Sequence, residues 1–281
     1  MGNVIICQTQ EGKKPYIFEN ARIEVYSYEE LCYYIYYNIP MLDENTITEK
    51  LLQWISEELN LSELSEKIRC RMESQNEVSL YQTILGYRSY FTKQEIEVFL
   101  VSFEEYQLLT PFEKQKKKAD SLLLYKRYMK AFHIYETIAM QMGEKENMDQ
   151  EEKIFLGNIY HNMAVCQGKN LEWEQAKQNF RKAYALNKNT ESLKEYFFIL
   201  KLSAKEEEMQ EEEKKFCLSE EFFLDIQDEI EDSEKEIKGM EVYKKFEYAI
   251  YNKEHGKYFD YSRRIDAMLE QWKMELKEQW I

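Results

Sequence analysis

The chain has 281 residues and a net charge of −15, with 53 acidic side chains against 38 basic. That balance argues against nucleic acid or an anionic membrane as the main partner, since both require clustered Lys and Arg. Apolar residues make up 44%, enough for a sizeable core, while only 8 Gly and 3 Pro argue against a turn-rich all-β fold. The 22 Tyr suit half-buried helix faces, where a ring packs and a hydroxyl reaches water. They rise together with Lys, Ile, Asn and Glu, as codon bias in an AT-rich bacterial genome would also produce. The cysteines, Cys7, Cys32, Cys70, Cys166 and Cys217, form no CxxC pair and no zinc or disulfide spacing. With no signal-peptide pattern and no membrane-length apolar run, the expected location is the cytoplasm.

Residues 1 to 26 read as short β-prone runs, Val4 to Cys7, Tyr16 to Phe18 and Ile23 to Tyr26, with turns at Glu11-Gly12 and Glu19-Asn20. They predict a small antiparallel sheet that needs helices to cover it. Ser27 with Glu30 opens a first helix that stops before Pro40, and Thr46 with Glu49 opens a second through Leu51, Trp54 and Ile55. Ser62 starts a third helix, Val78 to Gly86 a fourth, and Thr92 with Glu95 a fifth, with Ile96, Phe99 and Phe103 on one face. Thr110-Pro111-Phe112-Glu113 combines a cap, a proline at the first helical position and a capping-box acid. The expected domains are therefore 1–108, helical with a short β start; 109–203, helical hairpins; 204–236, acidic linker and amphipathic helix; and 237–281, a degenerate hairpin.

The hairpins carry the functional argument. In Asn162 to Asn187, small residues at Ala164, Ala176 and Ala183 fall where two helices cross, and Trp173 and Phe180 fill the space beside them. With Tyr160 and Met163, this pattern resembles the tetratricopeptide repeat family. Leu171 stands where the family's turn glycine is usual, and Lys188 where a closing proline is common. An upstream copy runs through Ala119, Tyr128, Ala131, Tyr135 and Ile138, with Lys126 at the turn. A weaker downstream copy runs through Ala249, Gly256, Tyr258, Ile265 and Met268, with Tyr261 in place of the second helix's alanine. The interval from Ala131 to Ala176 exceeds the family period of about 34, the surplus being the polar stretch Gln141 to Gln150. Ser192 to Leu202 predicts a further helix.

The resemblance implies a mainly α fold, a tetratricopeptide-like helical-hairpin array (an α-solenoid), after a small N-terminal α+β domain with a short antiparallel β element. It also implies a non-enzymatic scaffold or adaptor that holds a partner peptide or helix in a groove lined by the first helix of each hairpin. Aligned on that groove are Lys116, Asp120 and Leu123 in the first copy, and Asn158, His161, Val165 and Lys169 in the second. Asp120 and Val165 stand where the family's chaperone-tail clamp would have Asn, which argues against a chaperone-tail receptor.

Residues 204 to 236 hold most of the acidic excess yet include Phe216, Phe222, Phe223, Ile226 and Ile230, with Ser219 as a cap. The first half reads as a flexible linker and the second as an amphipathic helix, either a solvated surface or a dock for a basic partner. The basic cluster Lys114, Lys116 to Lys118, Lys126, Arg127 and Lys130 reads as an intramolecular contact for it, or less readily as a nucleic-acid patch. Three histidines without metal spacing, and no P-loop, GxGxxG or GxSxG, leave no cofactor, metal or catalytic residue to name. Two alternatives stand beside the adaptor. One is a regulatory or sensor protein of a bacterial signalling or secretion complex; the other is a hydrolase in residues 1–108, which contain no His.

Overall fold

The computed structural model describes residues 11–73, 77–203, 206–216 and 219–280. The expected strand at Val4 to Cys7 lies outside them. The fold is mainly α, with helices packed on their neighbours and a two-stranded antiparallel sheet near the start. The chain divides into two compact units, Met1–Tyr125 and Lys126–Ile281.

In the first unit, β1 (Tyr16–Phe18) pairs with β2 (Ile23–Val25), Tyr16 opposite Val25 and Phe18 opposite Ile23. Alternation turns Phe18 and Val25 inward while Ile17 and Glu24 face out. Two strands bury too little to persist alone, and this pair rests on helix. Phe18 stacks on Tyr34 at 3.8 Å, and the Trp54 indole donates to the Lys14 carbonyl at 2.7 Å.

Five helices follow: α1 (Tyr28–Tyr37), α2 (Glu49–Glu57), α3 (Ser62–Glu73), α4 (Glu77–Leu85) and α5 (Lys93–Leu108), with a 3-10 helix, Ile39–Met41, after α1. Ser27 caps α1, but Glu30 reaches back to the Tyr26 N–H rather than completing the box on Ser27. Thr48, not Thr46, caps α2; the Thr46 hydroxyl instead accepts from the Asp43 N–H in the preceding turn. The boxes at Thr92 and Thr110 form as expected. Leu31, Ile35, Leu51, Leu52, Ile55, Leu64, Ile68, Ile84 and Phe99 make the core, each fully buried aliphatic contributing about 1.5–3 kcal/mol. Tyr28 is buried among them because its hydroxyl is satisfied, donating to the Ile84 carbonyl and accepting from the Arg88 N–H.

The sequence places a boundary at residue 108, but the compact units divide at 125/126. The reason is α6 (Pro111–Leu124), which packs on the 3-10 helix. Lys118 pairs with Asp43 at 3.0 Å, and the Tyr125 hydroxyl bonds to Asn38. The two helices of the first expected hairpin therefore fall on either side of the division.

The second unit runs through α7 (Tyr128–Gly143), α8 (Gln150–Lys169), α9 (Trp173–Asn187), α10 (Thr190–Leu202), α11 (Glu206–Phe216), α12 (Glu220–Gly239), α13 (Glu241–Glu254) and α14 (Tyr258–Trp280). Each of α7 to α10 packs on the next, α11 and α12 pack on α10, and α13 pairs with α14, which also touches α7. Asp149 opens α8 with a capping box and Asn189 caps α10, two starts the pattern of apolar residues does not announce.

The acidic segment differs from expectation in its first half, which is a helix rather than a linker. Met209 and Phe216 share one face of α11, two turns apart, and pack on the α9–α10 core. Phe216 meets Tyr184, Tyr196 and Phe197 edge-on. Among the described residues, cations from α9 and α10 pair with this acidic stretch: Lys177 with Glu208, Arg181 with Glu212, and Lys194 with Glu229. Cap residue Ser219 holds α12 as expected.

Candidate functional site

The α8–α9 hairpin is built by its small residues. Ala164, Ala176 and Ala183 are fully buried, so the two backbones approach closely, and Phe180 fills the remaining space. Trp173 opens α9 and stays partly exposed, at 39%. Gly157 contributes a contact that the sequence pattern missed: a Cβ there would lie 2.7 Å from the Asn187 Cβ.

The turns repeat as well. Leu171 has φ 64 and Gly256 has φ 73, both left-handed. In each, the turn residue and the one after it close the helix end with paired bonds: Leu171 N–H to Gly168 and Glu172 N–H to Gln167, and Gly256 N–H to Lys253 and Lys257 N–H to Asn252. This is the Schellman arrangement, in which the last carbonyls of a helix find donors. Lys126, the third aligned turn residue, is also left-handed at φ 58. The two departures from glycine therefore keep the conformation that glycine would adopt.

Of the aligned groove residues, Lys116 and Asp120 lie on α6 and pair with each other at 2.7 Å, with Leu123 half-buried nearby on the same helix. The remaining four lie on α8, in the other unit. Asn158 accepts from the Asn187 amide at 3.0 Å. His161 is half-buried, meeting the Ser192 hydroxyl at 3.0 Å and the Phe180 ring edge-on at 5.3 Å. Burial pushes its imidazole below its ordinary pKa, with Glu191 opposing. Val165 packs against the α9–α10 core, and Lys169 is exposed.

A neighbour of these residues escaped the alignment. Glu195 on α10 is half-buried, and burial raises its carboxyl pKa, reinforced by Glu191 and Glu229 and opposed by Lys169. The α8–α10 face thus offers an exposed cation, Lys169, within electrostatic reach of a carboxyl with weakened acidity, Glu195. The sequence signal was available: Glu195 sits between Leu193 and Tyr196, both on the buried face of its helix.

Among the described residues, no group of three or more His, Cys, Asp and Glu is placed to hold a metal ion. No helix among them is long and apolar enough to cross a membrane. Comparison with protein-family models, curated proteins and solved structures finds no match for this chain.

Proposed function

We propose that the second unit is a tetratricopeptide-like, non-enzymatic binding scaffold of the cytoplasm, which holds a peptide or helix of a protein partner against the α8–α10 face. The observation that carries the reading is the α8–α9 hairpin: three buried alanines at its crossing, and a turn whose left-handed residue and paired bonds recur between α13 and α14. Stacked hairpins of this kind bury one face against their neighbours and leave another open for recognition. Lys169 and Glu195, with Val165 one turn before Lys169 on α8, supply the mixed charge and apolar surface that an extended or helical peptide requires.

The test is affinity capture of the full chain with quantification of bound proteins. A stoichiometric partner that is lost on Lys169→Glu, and kept on Lys153→Glu at an exposed position of the same helix, supports this face. A partner indifferent to Lys169→Glu refutes it.

A further inference from the structure

The first unit contains a cavity of about 510 Å³ beside β2 and α1. Four of its lining residues are tyrosine, Tyr33 and Tyr34 from α1, Tyr90 from the loop before α5 and Tyr125 just after α6, with Ile23, Val25 and Asn38 between them. Its charge is entirely negative. Glu24, Glu29 and Glu30 line it, and no Lys, Arg or His is among the lining residues.

The tyrosine walls are held in place. Tyr34 stacks on Phe18 at 3.8 Å, its backbone carbonyl accepts from the Asn38 side-chain Nδ2 at 2.8 Å, and the Asn38 Oδ1 in turn accepts from the Tyr125 hydroxyl. Tyr90 packs on Phe91, and Phe91 stacks on Tyr36. Glu24 accepts from the Tyr26 hydroxyl and Glu30 from the Tyr26 N–H, each through one oxygen. An ionised carboxylate has about four acceptor sites, so both retain capacity for another donor.

These features select a ligand class. Aromatic faces carry negative quadrupole potential and attract cations, most strongly where water is displaced. Carboxylates at the rim add Coulombic attraction and repel anions. A neutral apolar ligand would bury the carboxylates without compensation. The volume lies within the roughly 300–1,000 Å³ of small-ligand sites. We infer that this cavity binds an organic ammonium group, presented either by a lysine side chain of a peptide or by a free amine. The inference stands apart from the scaffold reading, since every residue in it belongs to the first unit.

Calorimetric titration of the full chain tests it, with choline and butylammonium as cationic probes and 3,3-dimethyl-1-butanol as the neutral carbon isostere of the first. Both cations should bind saturably, and the alcohol about tenfold more weakly or worse, the scale of a desolvated cation–aromatic contact. Tyr90→Leu, and Glu24→Gln combined with Glu30→Gln, should each weaken the cations by about tenfold. Tyr33, exposed at the rim, gives a second variant, Tyr33→Leu, that leaves the core intact should Tyr90→Leu unfold. A blocked lysine peptide that binds more tightly than butylammonium identifies a peptide source, and equal binding a free amine. Absence of saturation, equal affinity for the alcohol, or variants that bind as the native chain does would overturn the inference.

Discussion

The close approach at Gly157 can be tested against a second glycine on the same helix. Gly→Ala in a helix gains about 0.5–1 kcal/mol from lower backbone entropy in the unfolded chain. At Gly168 the nearest atom to a new Cβ is a Trp173 ring carbon at 3.9 Å, an ordinary contact, so Gly168→Ala should keep that gain. At Gly157 the new Cβ would meet the Asn187 Cβ at 2.7 Å and its backbone N at 3.0 Å. Asn187 cannot simply turn away. Its side-chain Nδ2 donates to Asn158 Oδ1 at 3.0 Å, and its Oδ1 accepts from the Asn189 N–H at 2.9 Å. The end of α9 must then move off α8, an overpacking cost of about 1–3 kcal/mol. Set against the propensity gain, Gly157→Ala should lose on the order of 1 kcal/mol net. Each kcal/mol moves the thermal midpoint by about 2–4 °C in a chain of this size. Melting followed by far-UV circular dichroism should therefore show the two variants moving in opposite directions. Gly157→Ala matching or exceeding the native midpoint would refute the packing argument.

Phe216→Ala should destabilise the second unit by about 2–3 kcal/mol in urea unfolding, below the roughly 3–5 of a fully buried ring because this one is only partly covered; a flexible linker would show no change. His161 titrates below its unfolded value of about 6.5. Between the two values the unfolded chain holds more protons, so stability should fall as pH drops below about 6.5. His161→Gln should flatten that slope in denaturant midpoints measured across acidic pH, and an unchanged slope would exclude the residue as its source. In a Cys7→Ser, Cys217→Ser background, a thiol reagent should label exposed Cys70 quickly. Buried Cys32, and Cys166 with its thiol pushed up to about 12 by burial, should react only on unfolding.

Much of the helical array is legible in the residues because close crossings need small side chains, and Ala164, Ala176 and Ala183 have few other reasons to recur at those spacings. Capping chemistry located Thr92 and Thr110 for the same reason: two reciprocal bonds tie a residue pair to one geometry. What failed was masked. In α11 the acidic run overwhelms the two apolar side chains, Met209 and Phe216, that hold the helix to its neighbours. Thr46 and Thr48 both fit a cap by composition, and only the Asp43 turn separates them. Gly157 reads as a weak helix former until the partner backbone is seen. An alignment assigns a helix face, but it cannot show that His161 is engaged by Ser192 and Phe180, or that Lys116 is paired with Asp120. Glu195 acquires its altered acidity chiefly from burial, which exists only once its helix is packed.

An open row of hairpins unravels from its ends, because each terminal element gives up one interface when it leaves. Here the last helix, α14, rests against the first of its unit, α7, as well as on α13. Detaching α14 forfeits two contacts and strips one of them from α7. Such mutual dependence across the longest sequence separation in the unit should make melting concerted, with native-state hydrogen exchange in α7 and α14 rising together rather than in a gradient from the C-terminus.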